Sequence, residues 1–228
     1  MKPFLIVLLL VGMSTSASAF TLKITKEEHL VKWQNHSITL DLDSSLDALG
    51  PNKQVAEAIQ KAFSTWVDEA GIPINFEFVS TNCTVGYSES KKNENCICAK
   101  KRSSLTEDDI GGTTMLTYAE KEGNIIDADV VFFTDAGKWT LNNEVGKLDV
   151  YAVTLHEAGH LFGMEHSKVK GAVMYAMTSL DEASYQELHD DDIRGAEALY
   201  DNHKSADTDC DATLLTRRNP TGILSFLF

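Results

Sequence analysis

His156-Glu157-Ala158-Gly159-His160-Leu161-Phe162-Gly163-Met164-Glu165-His166 is the stretch on which the reading of this chain turns. Asp149 is a plausible N-cap, the run from Val150 onward is apolar, and Gly163 stands where a left-handed C-cap is wanted. Together these predict a helix from about Val150 to Phe162. On a helix, residues four apart share a face about one turn apart, so His156 and His160 can reach one ion, with Glu157 beside them. A glycine at 163 lets the chain turn sharply out of the helix and bring His166 round as a third ligand. Three neutral nitrogens leave one position of a tetrahedral zinc open, which catalysis requires. A bare HExxH arises by chance in about one chain in a hundred of this length, and the added glycine and third histidine lower that by a factor of several hundred, on the order set by residue frequencies. Solvated histidines on an amphipathic helix are therefore a poor account of the pattern.

Outward from this motif the chain reads as alternating short elements. Ile38 to Leu42 alternates as a half-buried strand, and Gly50-Pro51-Asn52 marks a turn. Val55, Ala56, Ile59, Ala62, Phe63 and Trp66 recur at helical spacing in a helix ended by Gly71. Ile74 to Val79 predicts a second strand and Thr84 to Tyr87 a short third one. Residues 88–110 read as an exposed polar loop closed by a disulfide. Gly111-Gly112 opens a strand from Thr113 to Ala119, which a turn at Glu122-Gly123-Asn124 returns into Ile125 to Phe133. A last helix fits Asp190 to Tyr200. Strand, helix, several strands, helix, irregular segment, helix is a mixed α+β domain without internal repeat.

The chain has 228 residues, 43% hydrophobic and 24% charged, which suits one domain plus a tail. A formal net charge of −14 argues against non-specific binding to nucleic acid or anionic lipid. Residues 1–19 have the form of an export signal: Lys2, an apolar run from Phe4 to Met13, then small residues ending Ala17-Ser18-Ala19. The apolar run is shorter than the about 20 residues a membrane span needs. Cleavage near Ala19 into a secreted, periplasmic or extracellular space is expected, without a membrane anchor. Export makes disulfides sensible for Cys83, Cys96, Cys98 and Cys210. A Cys96–Cys98 bridge would close a very small, strained ring. The two schemes left join Cys83 to one of the CxC pair and Cys210 to the other, tethering a tail of residues 202–228 to the loop at 83–98.

With its zinc motif complete, the sequence resembles the metzincins, and within them the matrixins, the matrix-metalloprotease group. Ser167 after the third histidine, Lys32-Trp33, Ala62-Phe63, Trp66, Trp139-Thr140, and Leu188 to Gly195 ending at Leu199-Tyr200 extend the likeness over about residues 32–201. The resemblance implies a zincin domain at residues 20–201 with a mixed, mostly parallel twisted sheet, an active-site helix, a methionine turn and a C-terminal helix. Val173-Met174-Tyr175 would supply that turn, supported by Asp191 and Asp192, although solvated helix charge accounts almost as well for Asp191. Thr113, Thr114, Met115, Leu116 and Thr117 would form the edge of the cleft, pairing with an extended protein or peptide substrate. One catalytic zinc on His156, His160 and His166 is expected, with Glu157 as the base that activates water.

Departures from the matrixin pattern are also legible. Ala176 follows Tyr175 where matrixins usually carry proline. No histidine lies between His36 and His156, so the structural zinc of the animal enzymes is not expected. A structural calcium near Asp127, Asp129 or Asp135 is unsupported by the sequence, and surface aspartates are the plainer expectation. No cysteine precedes Cys83, so a cysteine-switch propeptide is not expected. The chain reads as a monomeric secreted zinc endopeptidase. The alternative is a non-catalytic or narrow-substrate zinc-binding module of the same fold; a non-catalytic one would have no need of Glu157.

Overall fold

Two helices with apolar stripes need a surface to bury them on, and the strands between them provide it. In a computed structural model, residues 19–87, 94–102, 111–176 and 185–200 are described. The elements are β1 (Thr21–Leu22), β2 (Ser37–Asp43), α1 (Asn52–Ala70), β3 (Asn75–Thr81), β4 (Asn95–Lys100), β5 (Gly112–Tyr118), β6 (Ile125–Phe133), β7 (Trp139–Thr140), β8 (Leu148–Asp149), α2 (Val150–Phe162), β9 (Met164–Glu165) and α3 (Asp190–Tyr200). The main sheet runs in the order β3-β2-β4-β6-β5. β3, β2, β4 and β6 pair in parallel, and only β5 lies antiparallel, against β6. This is the mixed, mostly parallel sheet of an α+β fold.

Helices α1 and α2 pack on one face of that sheet. Val55, Ile59, Phe63 and Trp66 of α1 meet Leu155, Phe162 and the inward residues Leu40, Ile97, Val130 and Phe132 in one core. Phe63, Trp66, Phe76 and Phe162 form an aromatic cluster with centroid separations of 5.0 to 6.0 Å, within the range where tilted and edge-to-face rings attract. The opposite sheet face carries a smaller cluster of Cys96, Cys98, Val131 and Phe133, covered by Cys83, Val85 and Met115. Period-two alternation explains the split, since Ile97 and Ala99 go to one side while Cys96 and Cys98 go to the other.

Strand β4 corrects the sequence reading of residues 88–110 as one exposed loop. Its segment Asn95 to Lys100 is a strand between β2 and β6, with Cys96 to Ala99 buried. Only those four residues are apolar, and polar runs flank them on both sides, so no local pattern exposes the strand. The runs at 88–93 and 103–110 lie outside the described residues. The short strand expected at Thr84 to Tyr87 is also corrected, because this stretch joins no ladder. Instead Cys83 is bonded to Cys96, and Gly86 N donates to Asp129 at 2.6 Å.

That disulfide is one bond of one of the two expected schemes; its other bond, Cys98 to Cys210, would involve a residue outside the described ones. Cys98 is a free, buried thiol, and its burial pushes its pKa up to about 11. Cys210 and the tail of residues 202–228 lie outside the described residues, as do residues 1–18 of the expected export signal. Among the described helices none is long and apolar enough to cross a membrane.

Candidate active site

Helix α2 is fixed at both ends by chemistry written in its sequence. Asp149 caps it, its side chain accepting from Ala152 N at 3.0 Å. Gly163 ends it with φ 107°, and a Cβ there would stand 1.9 Å from the Val31 carbonyl oxygen. Both the backbone angle and the close approach therefore require glycine. The carbonyls at this end find donors elsewhere: Trp33 Nε1 to Leu161 O at 3.0 Å, Tyr200 Oη to Phe162 O at 2.9 Å, and Lys23 N to Gly163 O at 2.8 Å.

Beyond the glycine, the chain pairs Met164–Glu165 with Thr21–Leu22 and carries His166 back beside the helix. The Nε2 atoms of His156, His160 and His166 form a triangle with sides of 3.1, 3.3 and 3.3 Å. Three ligands of a tetrahedral zinc at about 2.0–2.1 Å stand roughly 3.3–3.4 Å apart, so the triangle fits that ion. On the far side of the rings, His156 Nδ1 lies 2.6 Å from Val173 O and His160 Nδ1 lies 2.9 Å from Met164 O. A carbonyl only accepts, so each Nδ1 carries the proton and each Nε2 presents a lone pair. This is the only group of three or more potential ligands among the described residues, and it is compatible with a zinc site.

Glu157 is buried beside the triangle. Its Oε2 accepts from Thr114 Oγ1 at 2.7 Å, and the same hydroxyl lies 3.0 Å from the Glu157 carbonyl oxygen. Of the five edge-strand residues, Thr114 and Leu116 face α2, whereas Met115 packs on the opposite side of the sheet. The expectation grouped these residues by their backbone edge; side-chain direction separates them. β5 does stand at the end of the sheet order.

The segment after the helix is held by two buried aspartates. Asp192 Oδ2 accepts from Val173 N at 2.8 Å and His189 N at 2.9 Å, while its Oδ1 accepts from Met174 N at 3.0 Å. Burial pushes the Asp192 carboxyl up, against the pull of those N–H groups, and Asp191 adds to the push. Asp191 is equally buried, and accepts from Ser167 Oγ at 2.7 Å and Ala19 N at 3.0 Å. This corrects the alternative of a solvated helix charge for Asp191. Met174 packs under the zinc-motif helix at Gly159, where a Cβ would stand 2.2 Å from its sulfur. Val173 O ties this turn to His156.

The acidic residues of β6 are not surface groups, contrary to expectation. Asp127 and Asp129 are buried, and only Asp135 is exposed. Asp129 binds Gly86 N and Cys96 N, pinning the disulfide loop to the sheet. Desolvation first, and Asp129 second, push the Asp127 carboxyl up to about 6. These residues form no cluster with metal-ligand spacing among the described residues. Nothing in the sequence marks them as buried, because a strand of two aspartates among apolar residues reads the same whichever face is covered.

The fold and the triangle define a helix-borne cluster of three histidines compatible with a zinc site, with a carboxylate next to the first histidine. A matrixin family profile matches residues 32–201. The chain is 31% identical over 168 residues to matrix metalloproteinase-18 of Xenopus laevis, covering 74% of this chain and 33% of that protein. It is 30% identical over 172 residues to mouse matrilysin, covering 74% of this chain and 59% of that one. Human matrix metalloproteinase-15 is 27% identical over 173 residues, covering 74% and 25%. The alignments thus span from a quarter to under two thirds of these relatives' lengths. The chain belongs to the matrixin family.

Proposed function

We propose that the protein is an exported zinc endopeptidase that hydrolyses internal peptide bonds of protein substrates. The observation that carries this reading is the Nε2 triangle with sides of 3.1 to 3.3 Å beside a buried Glu157. His156, His160 and His166 hold the metal. A zinc ion in such a site lowers the pKa of water toward 7 and polarises a carbonyl. Glu157 then takes a proton at its carboxylate as water attacks, and gives it to the departing amine. Burial of Glu157 excludes competing bulk water from the carboxylate and keeps it aligned. Met174 and Val173 brace His156 from below, the first by packing under Gly159 and the second through its carbonyl.

Substrate lies extended along the outer edge of β5, where Thr113 to Thr117 offer main-chain groups for strand addition. Support for this placement is the terminal position of β5 and the contact of its Thr114 with Glu157. Export with cleavage after Ala19 rests on the apolar run and small residues of the first 19 positions. The protein acts as a monomer and binds one zinc.

The deciding experiment is cleavage of quenched casein or gelatin by the purified protein with zinc, with a chelator, and with Glu157→Gln. Loss of activity to the chelator is expected, together with a drop of about 10² or more in Glu157→Gln at unchanged zinc content. Full turnover in Glu157→Gln would refute the mechanism. A protein that binds one zinc and cleaves nothing would favour the non-catalytic or narrow-substrate reading.

A further inference from the structure

We infer that Thr114 is a positioning residue for the Glu157 carboxylate, separate from any part its backbone plays in holding substrate. The inference rests on the peptidase reading of the site. Thr114 lies on β5, its Cα in register with Val130 of β6, so its side chain is set by the sheet and not by the helix that bears Glu157. Its hydroxyl has a single proton. The 2.7 Å contact to Glu157 Oε2 is shorter than the 3.0 Å contact to Glu157 O, and a charged acceptor forms the stronger bond. The proton therefore goes to the carboxylate.

The neighbouring inward position on β5 is Gly112, which has no side chain; a Cβ there would stand 3.3 Å from Glu157 Oε1 and 3.1 Å from Val131 O. β5 thus approaches the carboxylate closely, with bare backbone at 112 and a hydroxyl at 114. A glutamate side chain has three rotatable bonds, and a base that must meet a proton within hydrogen-bond distance gains rate when those bonds are locked beforehand. Thr114 supplies that lock from a second, rigid element. It acts through Glu157 and does not itself take the proton.

The test compares Thr114→Val, which keeps the shape and removes the hydroxyl, with Thr114→Ser, which keeps the hydroxyl. In peptide cleavage, Thr114→Val is expected to lower kcat about tenfold or more with KM within about twofold and one zinc per chain retained, as loss of one bond to a charged group implies. Thr114→Ser is expected to recover kcat to within about threefold of the parent, because its hydroxyl can make the same bond. A second readout uses the metal-free protein with 13C at the glutamate carboxyls. The Glu157 signal should shift or broaden in Thr114→Val and return in Thr114→Ser.

An unchanged kcat and an unchanged carboxyl signal in Thr114→Val would overturn the inference. So would a Ser variant no better than Val, or a loss confined to KM, which would assign Thr114 to substrate binding. If Thr114→Val does not fold, Thr114→Ala against Thr114→Ser makes the same comparison. Failure of the peptidase reading is distinguishable, since a parent protein that cleaves nothing leaves the metal-free carboxyl signal to decide the Thr114 contact by itself.

Discussion

Gly159→Ala tests how tightly the turn at Met174 is packed beneath the motif helix. An added Cβ would stand 2.2 Å from Met174 Sδ, 3.1 Å from Met174 Cε and 3.1 Å from Trp66 Cζ2. Trp66 cannot yield, because its Nε1 donates to Leu155 O at 2.8 Å and its ring stands edge-on to Phe162. The Met174 backbone is also held, its N–H by Asp192 and its carbonyl by Ser167 N at 2.7 Å. Only the Met174 side chain can move, within a filled core. Overpacking of that kind costs about 1–3 kcal/mol, against about 1 kcal/mol gained by replacing a mid-helix glycine with alanine. An approach of 2.2 Å to the sulfur puts the cost in the upper part of that range, about 2–3 kcal/mol, so the net expectation is a loss of about 1–2 kcal/mol, or about 2–8 °C in Tm for a domain of this size.

Met174→Ala alone should cost about 2–5 kcal/mol through the cavity it leaves. In the double variant the new methyl enters that cavity, so the combined cost should fall short of the sum by about 1–3 kcal/mol. Urea unfolding with a chelator present measures all four corners without a contribution from metal binding. Refutation would come from a Gly159→Ala variant as stable as the parent, or from a cycle additive to within about 0.5 kcal/mol.

Three further outcomes follow from buried polar groups. Asp192→Ala leaves the N–H groups of Val173, Met174 and His189 without their acceptor; it should destabilise by about 3–5 kcal/mol and weaken zinc binding about tenfold, read by unfolding and by chelator competition. Asp127, with its pKa raised to about 6 by burial, binds its proton more tightly in the folded chain than in the unfolded one; its contribution is therefore present below about pH 4 and is lost as pH rises through about 6. Asp127→Asn should thus raise stability by on the order of 1–2 kcal/mol at pH 7.5 and change little at pH 4, and an equal effect at both pH values would contradict the assignment. Cys98, buried and with its pKa near 11, should resist a thiol reagent at pH 8 in the native protein and react fully once unfolded; rapid native labelling would show that the cluster behind the sheet opens.

The sequence by itself determined what depends on near neighbours in the chain. Asp149 and Gly163 delimit α2, and the predicted Val150 to Phe162 is the helix observed. Ile125 to Phe133 and Asp190 to Tyr200 likewise follow their predicted bounds. Helical pitch alone puts His156 and His160 on one face, and Gly163 supplies the turn that His166 needs. Only the tertiary structure decided what depends on partners far along the chain. β4 is a strand because β2 and β6 flank it, although its four apolar residues stand amid polar runs. Cys83 meets Cys96 because Asp129 pins Gly86 and Cys96 to β6. Asp191 is a buried structural acceptor and not a solvated charge, because Ser167 folds onto α3. Thr114 meets Glu157 because the sheet places β5 over α2, across 43 residues of sequence. Helix pitch and caps act within a few residues, whereas burial, pairing and hydrogen-bond partners are set by which surfaces the whole chain brings together.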